Sequence, residues 1–415
     1  MNKENTLVLD VHEKPRNYWQ WLLLSLQHVF GMFSATILVP LLTGLDTGVA
    51  LIASGAGTLL YIFITKRKVP IYLGSSFAYI AAIAFALQEG GEGSVFTALM
   101  GVGLVYMIVS TVLKFTGSKW LNQLLPPVVI GPVIMVIGLN LASVAIDSLG
   151  MSESTDGGLL VGLVTFVAAA LIALKGKGFI KIIPFMLAII IGYTFAVVIG
   201  SVSLTQAFEG VGLFRVPSFT FIGTYALDIT MIPMFLPLAF VTIAEHIGDH
   251  KVLGEVTNKD YVKDPGLKRT LMGDGVATVV SAIIGGPANT SYGENTGIIA
   301  MNKVASVAVI MGAAIIAILL GFSGHVQAFI QSIPSGIIGG ITIILYGVIA
   351  VNGIKILFRG ETDLSDARNL IIISVILVIG LGGAMIEINE ITNISGMALA
   401  ATAGILLNLA LPKHV

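Results

Sequence analysis

The sequence predicts an all-α polytopic membrane protein whose fourteen transmembrane segments form two inverted repeats of seven. Three observations point there: fourteen apolar stretches, Lys and Arg collected in alternate loops, and motifs that recur in the same order in both halves. The chain has 415 residues, 56% hydrophobic and 11% charged, with a mean hydropathy of +0.96. A soluble domain carries about a quarter charged residues, so a water-soluble fold is excluded. A net charge of -1 without basic patches excludes a nucleic-acid partner. Cysteine is absent, so disulfides and thiolate metal sites are excluded too. The polar start, MNKENTLVLDVHEKPRNYWQ, has none of the parts of a cleaved signal peptide, and the apolar stretch that follows reads as a retained anchor.

A helix crosses the hydrocarbon core with roughly 20 mainly apolar residues. Such stretches fall near 18–42, 47–65, 94–115, 127–147, 158–175, 179–201, 230–250, 268–286, 304–323, 333–354, 367–386 and 393–412. Two more, near 70–88 and 287–302, are short or broken by Gly, Ser and Pro. Counting both places 21 of the 22 Lys and Arg in alternate loops, with Arg215 alone on the other side. Basic residues mark cytoplasmic loops, so fourteen segments with both termini in the cytoplasm are expected. Dropping the two broken segments destroys the alternation.

The halves echo each other. Gln27-His28 with Gly31 in segment 1 resembles Glu245-His246 with Gly248 in segment 8. Pro126 and Gly131 in segment 5 match Pro334 and Gly339 in segment 12. The broken stretches VPIYLGSSFAYI and GGPANTSYGENTG take third place in each half. Seven segments per half makes the second half start on the opposite side, so the repeat is inverted, as in secondary transporters. A half-helix that begins inside the membrane leaves backbone N–H groups free to meet a solute. Such irregular backbone survives only where protein or a wet cavity satisfies it. Alternatively, Gly74, Gly293 and Gly297 serve only close helix packing.

Ionisable groups within a membrane cost about 2.5–3.5 kcal/mol each on insertion scales, and those that persist commonly form relays. Segment 8 carries Glu245, His246 and Asp249, segment 9 carries Asp274, and the second broken segment carries Glu294. Glu245 and Asp249 share a helix face at a spacing of four. The four carboxylates have no Lys or Arg beside them within the membrane to pair with, since Lys268 and Arg269 stand at the loop end of segment 9. A proton relay and a Na⁺ site both fit that pattern. Asp274 also suits a structural hydrogen-bond acceptor, His28 and His246 structural hydrogen-bonders, and Asp249 and His250 a solvated helix end. Metal-ligand clusters, phosphate loops and nucleophile elbows are missing, so no cofactor and no enzyme chemistry is implied.

From Trp19 to Leu411 the sequence resembles the nucleobase–ascorbate transporter family. The matching stretches are SLQHVFGMFSATILVP, YLGSSFA, PLAFVTIAEHIGDH, DPGLKRTLMGDG, NTSYGENTGIIA and LYGVIAVNGIKIL, with the signature Glu294-Asn295-Thr296-Gly297. The resemblance implies short strands in segments 3 and 10. It also implies a core domain over residues 18–120 and 225–325, a gate domain over 121–205 and 326–415, and a cytoplasmic tail over 1–17. It implies a homodimer in the bacterial inner membrane that works by an elevator motion of core against gate. Glu245 and Glu294 then resemble the carboxylates that hold the base. Phe77 and Gly293 resemble the residues whose N–H groups meet its carbonyls, Ser76 and Tyr292 site residues, and Tyr346 a gate residue near the substrate. Glu245, Asp249, Asp274 and His246 are the expected proton-coupling groups.

Two positions depart from the family pattern. Asp249 stands where well-known uracil carriers have a histidine, so a proton role for that histidine does not transfer intact. Asn302 replaces the residues more usual at the end of the signature. Purine carriers usually have Gln at position 294, so Glu294 favours uracil over xanthine. Uracil offers two N–H donors and two carbonyl acceptors, which complement carboxylates and free N–H groups. The expectation is uracil:proton symport into the cytoplasm. A xanthine or purine carrier of the same fold, and an anion carrier of similar fold, are the alternatives.

Overall fold

The computed structural model describes residues 7–117, 119–151, 158–360, 362–387 and 393–412. Residues 1–6 of the expected tail, with Lys3, and Lys413 near the other terminus lie outside them. Segment 1 is helix α1 (Tyr18–Thr43). The Asn17 side chain caps it by accepting from the Gln20 N–H at 2.8 Å, and Gly44 ends it at φ 83°. Helix α2 (Thr47–Ile64) starts on Asp46, which accepts from the Val49 N–H at 3.0 Å. A short strand β1 (Leu73–Ser75) and a single turn, Phe77–Tyr79, then lead into α3 (Ile80–Thr116). This helix unites the expected segments 3 and 4. They meet at Gly91, whose φ of 70° and ψ of -167° break the helical path, a conformation glycine adopts without a steric penalty.

Next come α4 (Pro127–Leu149, with a hitch near Leu141), α5 (Leu159–Lys175) and α6 (Pro184–Val198). The second half opens with α7 (Ile232–Thr257) and α8 (Leu267–Ile283). Strand β2 (Asn289–Ser291) leads into α9 (Gly293–Asn302), followed by α10 (Val307–Gly321), α11 (Ser335–Arg359) and α12 (Ala367–Leu381). Strands β3 (Met385–Glu387) and β4 (Asn393–Ser395) precede α13 (Gly396–Ala410). Among the described residues, six helices are long and apolar enough to cross a membrane by length and composition. α5, α6, α10, α12 and α13 are apolar but shorter, at 15–17 residues.

The strand pair β1–β2 lies where the two broken stretches were read. It is antiparallel, with Leu73 opposite Ser291 and Ser75 opposite Asn289. A second antiparallel pair, β3–β4, replaces the expected helical ends of segments 13 and 14. Its cause is local: Gly382 ends α12 and Gly383 turns to φ 67°.

The helices divide into two packing groups. α8 lies against α3 and α2, α10 against α2 and α1, and α7 against α3. In the other group α11 lies against α4 and α5, α12 against α13 and α4, and α5 against α6. Helix α7 touches both groups through α13 and α4. Apolar burial does not drive helices together in lipid, so close contact through small residues has to. At the α3–α8 crossing, a Cβ on Gly275 would stand 2.7 Å from the Gly103 carbonyl oxygen, and only glycine permits that approach.

Candidate functional site

The two strand–helix breaks create the site. Phe77 begins its helical turn and Gly293 begins α9, so neither N–H has an acceptor within its own helix. Among the described residues neither donates a hydrogen bond elsewhere, whereas the adjacent N–H groups do. Ser76 donates to Ala288 O at 3.0 Å and Tyr292 to Tyr72 O at 2.9 Å. The paired strands thus tie down the backbone up to the residue before each free N–H.

Between these two points and helices α4 and α11 lies a cavity of about 380 Å³. Ser76, Phe77, Tyr292, Gly293 and Glu294 reach it from the breaks, and Glu245 and Asp249 from α7. Ile134, Ile137, Leu345 and Ile349 form an apolar wall opposite, from α4 and α11. A pocket of this size with an apolar lining and a few convergent polar groups is typical of small-molecule sites. Glu245 and Glu294 are open to the cavity although it lies deep between helices. Asp249 sits one turn along α7, where a Cβ added to Gly293 would come 3.2 Å from its Oδ1. The carboxylate therefore faces the start of α9, where the helix dipole favours negative charge.

Among the described residues no Lys or Arg lies within ion-pair distance of Glu245, Asp249, Asp274 or Glu294. One cation is nevertheless near. Lys181, in the turn just before α6, lines a smaller adjoining cavity of about 130 Å³ that shares Phe77, Phe185, Leu345 and Glu294.

Asp274 and His246 are fully buried and do not line the cavity. His246 Nδ1 lies 2.8 Å from Asp274 Oδ2, and Ser291 Oγ reaches both, at 3.1 Å and 3.2 Å. Ser291 lines the cavity, so it joins this inner pair to the site. His250 is not a solvated helix end. It is buried, its Nδ1 is 2.7 Å from His246 O, and its Nε2 is 2.5 Å from the Tyr61 hydroxyl. A carbonyl only accepts, so Nδ1 carries the proton and Tyr61 donates to Nε2. His28 pairs with Asn295 of the signature at 3.1 Å.

Tyr346 is not brought to the site. Its side chain is 2% exposed and packs within an apolar cluster, while its neighbours Leu345 and Ile349 line the cavity. One residue along a helix is a rotation of about 100°, enough to turn it away. Gly74 has a packing role, since a Cβ there would run into the Tyr292 ring, 2.5 Å from Cε2. Gly297 does not, as nothing lies within 4 Å of a Cβ built on it. Asn302 gains a function: its Nδ2 donates to Gln27 Oε1 at 3.2 Å and its Oδ1 accepts from the Val304 N–H at 2.9 Å, fastening the end of α9 to α1. Sequence reasoning missed Ser291 and Phe185, which carry no charge and are ordinary residues in apolar helices and breaks. A larger cavity, of about 680 Å³, lies elsewhere, against the N-terminal segment, and among the described residues no carboxylate lines it.

Comparison with known proteins agrees with this picture. The xanthine/uracil model of the Permease family matches residues 19–388. The uracil permease of Bacillus caldolyticus is 45% identical over 98% of this chain and 95% of its own length. That of Bacillus subtilis (strain 168) is 44% identical over the same shares, and that of Escherichia coli (strain K12) is 39% identical over 97% and 93%. Among solved structures, the transmembrane domain of the cyanobacterial bicarbonate transporter BicA aligns at a TM-score of 0.64 and 12% identity, over 96% of this chain and 99% of that one. Murine Slc26a9, an anion transporter in its inward-facing state, aligns at 0.70 and 12% identity, over 96% and 69%. These two share the fold. With the family model covering most of the chain and relatives this similar along nearly its whole length, the chain is a multi-pass membrane protein of the xanthine/uracil Permease family, a permease and not an enzyme.

Proposed function

We propose that this permease is a uracil:proton symporter of the bacterial inner membrane, importing its substrate by elevator-type alternating access. One observation carries the reading: a single cavity holds Glu245 and Glu294, with Asp249 a turn along α7, together with the free N–H groups of Phe77 and Gly293. Uracil matches that set group for group, with ring N–H donors for the carboxylates and carbonyls for the backbone donors. The names of the relatives support it, since the three above are all uracil permeases.

For transport, the two halves act as inverted seven-segment repeats whose third members cross at β1–β2, and fourteen segments leave both termini in the cytoplasm. The packing groups correspond to a core (18–120 and 225–325) and a gate (121–205 and 326–415) that shift against each other, with gates joined in a homodimer. On this orientation the site opens inward, because its cavity extends to Asn352 near the Lys355 end of α11 and adjoins Lys181. A protonated Glu245 donates to a uracil carbonyl while its second oxygen accepts from the ring. Asp249 passes the proton toward the cytoplasm, with Asp274 and His246 behind Ser291 as an inner reserve.

An anion carrier is the reading suggested by the two solved structures, but a cavity with three carboxylates repels anions. A purine carrier differs only in substrate. Uptake of radiolabelled uracil in cells lacking their own carrier tests the proposal. Excess unlabelled uracil should abolish it, while xanthine and bicarbonate leave it largely intact. Competition by xanthine alone would move the assignment to purines.

A further inference from the structure

Residues 7–17 are not free chain. Val8 N–H donates to Lys303 O at 2.7 Å, and Ala305 and Val307 donate to Leu9 O and Val11 O at 2.8 Å and 3.0 Å. This strap lies along the loop between α9 and α10, with Val11 buried and Asp10 paired to Lys259 at 2.7 Å. Between the strap, α1 and α10 is a cavity of about 680 Å³. His12, Lys14 and Arg16 reach it from the strap and Arg67 from the turn after α2. Of the two strap carboxylates among the described residues, Asp10 is taken by Lys259 and Glu13 is turned back to accept from the Asp10 N–H at 2.8 Å. Among the described residues Lys14, Arg16 and Arg67 form no ion pair.

The opposite wall is apolar. Trp21, fixed by donation from its ring N–H to Ala308 O at 2.8 Å, stands beside Met311 and Ile315 of α10. Met311, Ile315 and Leu319 follow at a spacing of four, so they form one strip along the helix. Ile315 and Leu319 are 42% and 64% exposed, which in a membrane means exposed to lipid. A basic pocket thus opens onto an apolar track at the level of an aromatic, interfacial residue. A free phosphate would use the cations and leave the track idle. An anionic phospholipid uses both, and basic pockets beside membrane helices suit such headgroups.

We propose that this pocket binds an anionic phospholipid, its headgroup phosphate held by Lys14, Arg16 and Arg67 and one acyl chain laid along Met311, Ile315 and Leu319. The bound lipid joins strap to α10 and so steadies the loop that leaves α9, the helix whose first turn carries Glu294.

The chain has three tryptophans, so Trp19→Phe with Trp120→Phe leaves Trp21 as the only indole reporter. The full-length protein in nanodiscs is titrated with phosphatidylglycerol or phosphatidylcholine carrying brominated chains, and Trp21 quenching is read. The anionic lipid should quench at several-fold lower mole fraction. Lys14→Gln/Arg16→Gln/Arg67→Gln should reduce that preference roughly tenfold, about 1.4 kcal/mol, while Lys14→Arg/Arg16→Lys/Arg67→Lys keeps it. Equal quenching by both lipids overturns the proposal, as does an undiminished preference in the triple Gln variant or its loss in the charge-preserving one. Displacement by millimolar inorganic phosphate would identify a soluble-anion site and overturn the lipid assignment.

Discussion

Glu245 and Glu294 stand on different helices and are brought to one cavity by the break before α9. Both were legible in the sequence because a charge in an apolar stretch is costly and calls for a reason. Ser291 was not legible, since serine is common in membrane helices and only the fold shows that it touches both Asp274 and His246. Tyr346, expected near the substrate, stands one position away from Leu345, which lines the cavity, and its own side chain does not line it. If Glu294 accepts from the substrate, Glu294→Gln should weaken uracil binding at least tenfold, about 1.4 kcal/mol, with an unchanged melting profile. Binding isotherms of the purified variant check this. Glu245→Gln keeps the neutral form permanently, so it should bind uracil yet show little pH dependence, read from the same isotherms between pH 5 and 8. Gly74→Ala places a methyl against the Tyr292 ring. Overpacking of this kind costs typically 1–3 kcal/mol, and a lowered melting temperature with reduced binding should follow.

At the scale of elements, the breaks in segments 3 and 10 were readable from Gly, Ser and Pro interrupting apolar runs, and the β1–β2 pair lies at those positions. Two features were not. The β3–β4 pair arises where adjacent glycines stop α12, in a stretch whose hydropathy alone reads as helix. The strap depends on pairing between residues nearly 300 positions apart, which no local pattern reports. Its anchor, Asp10, is opposed by burial, yet the Lys259 ammonium and the Val11 N–H hold its carboxyl below the usual range. A depressed carboxylate contributes stability above its unfolded pKa of about 3.9 and loses it as pH falls through the folded value. The side chain is about half exposed, so the contribution is under about 1 kcal/mol. Asp10→Asn should therefore speed amide exchange at Ala305 and Val307 several-fold at neutral pH without affecting uracil affinity, as followed by exchange mass spectrometry.

For the whole molecule, hydropathy and the placement of basic residues were enough to read a multi-pass helical protein, because lipid admits few other solutions. The division into two packing groups is a matter of which helices touch, which composition does not report, and it came only with the contacts of α7 and α8. The proposed elevator rests on that division and the coupling on Glu245. The most direct test of both is uracil accumulation in proteoliposomes under an imposed pH difference, acidic outside. The account predicts concentrative uptake that collapses with a protonophore, is indifferent to a sodium gradient and is absent in Glu245→Gln. Uptake that only equilibrates uracil, or that follows sodium and ignores the pH difference, would contradict it.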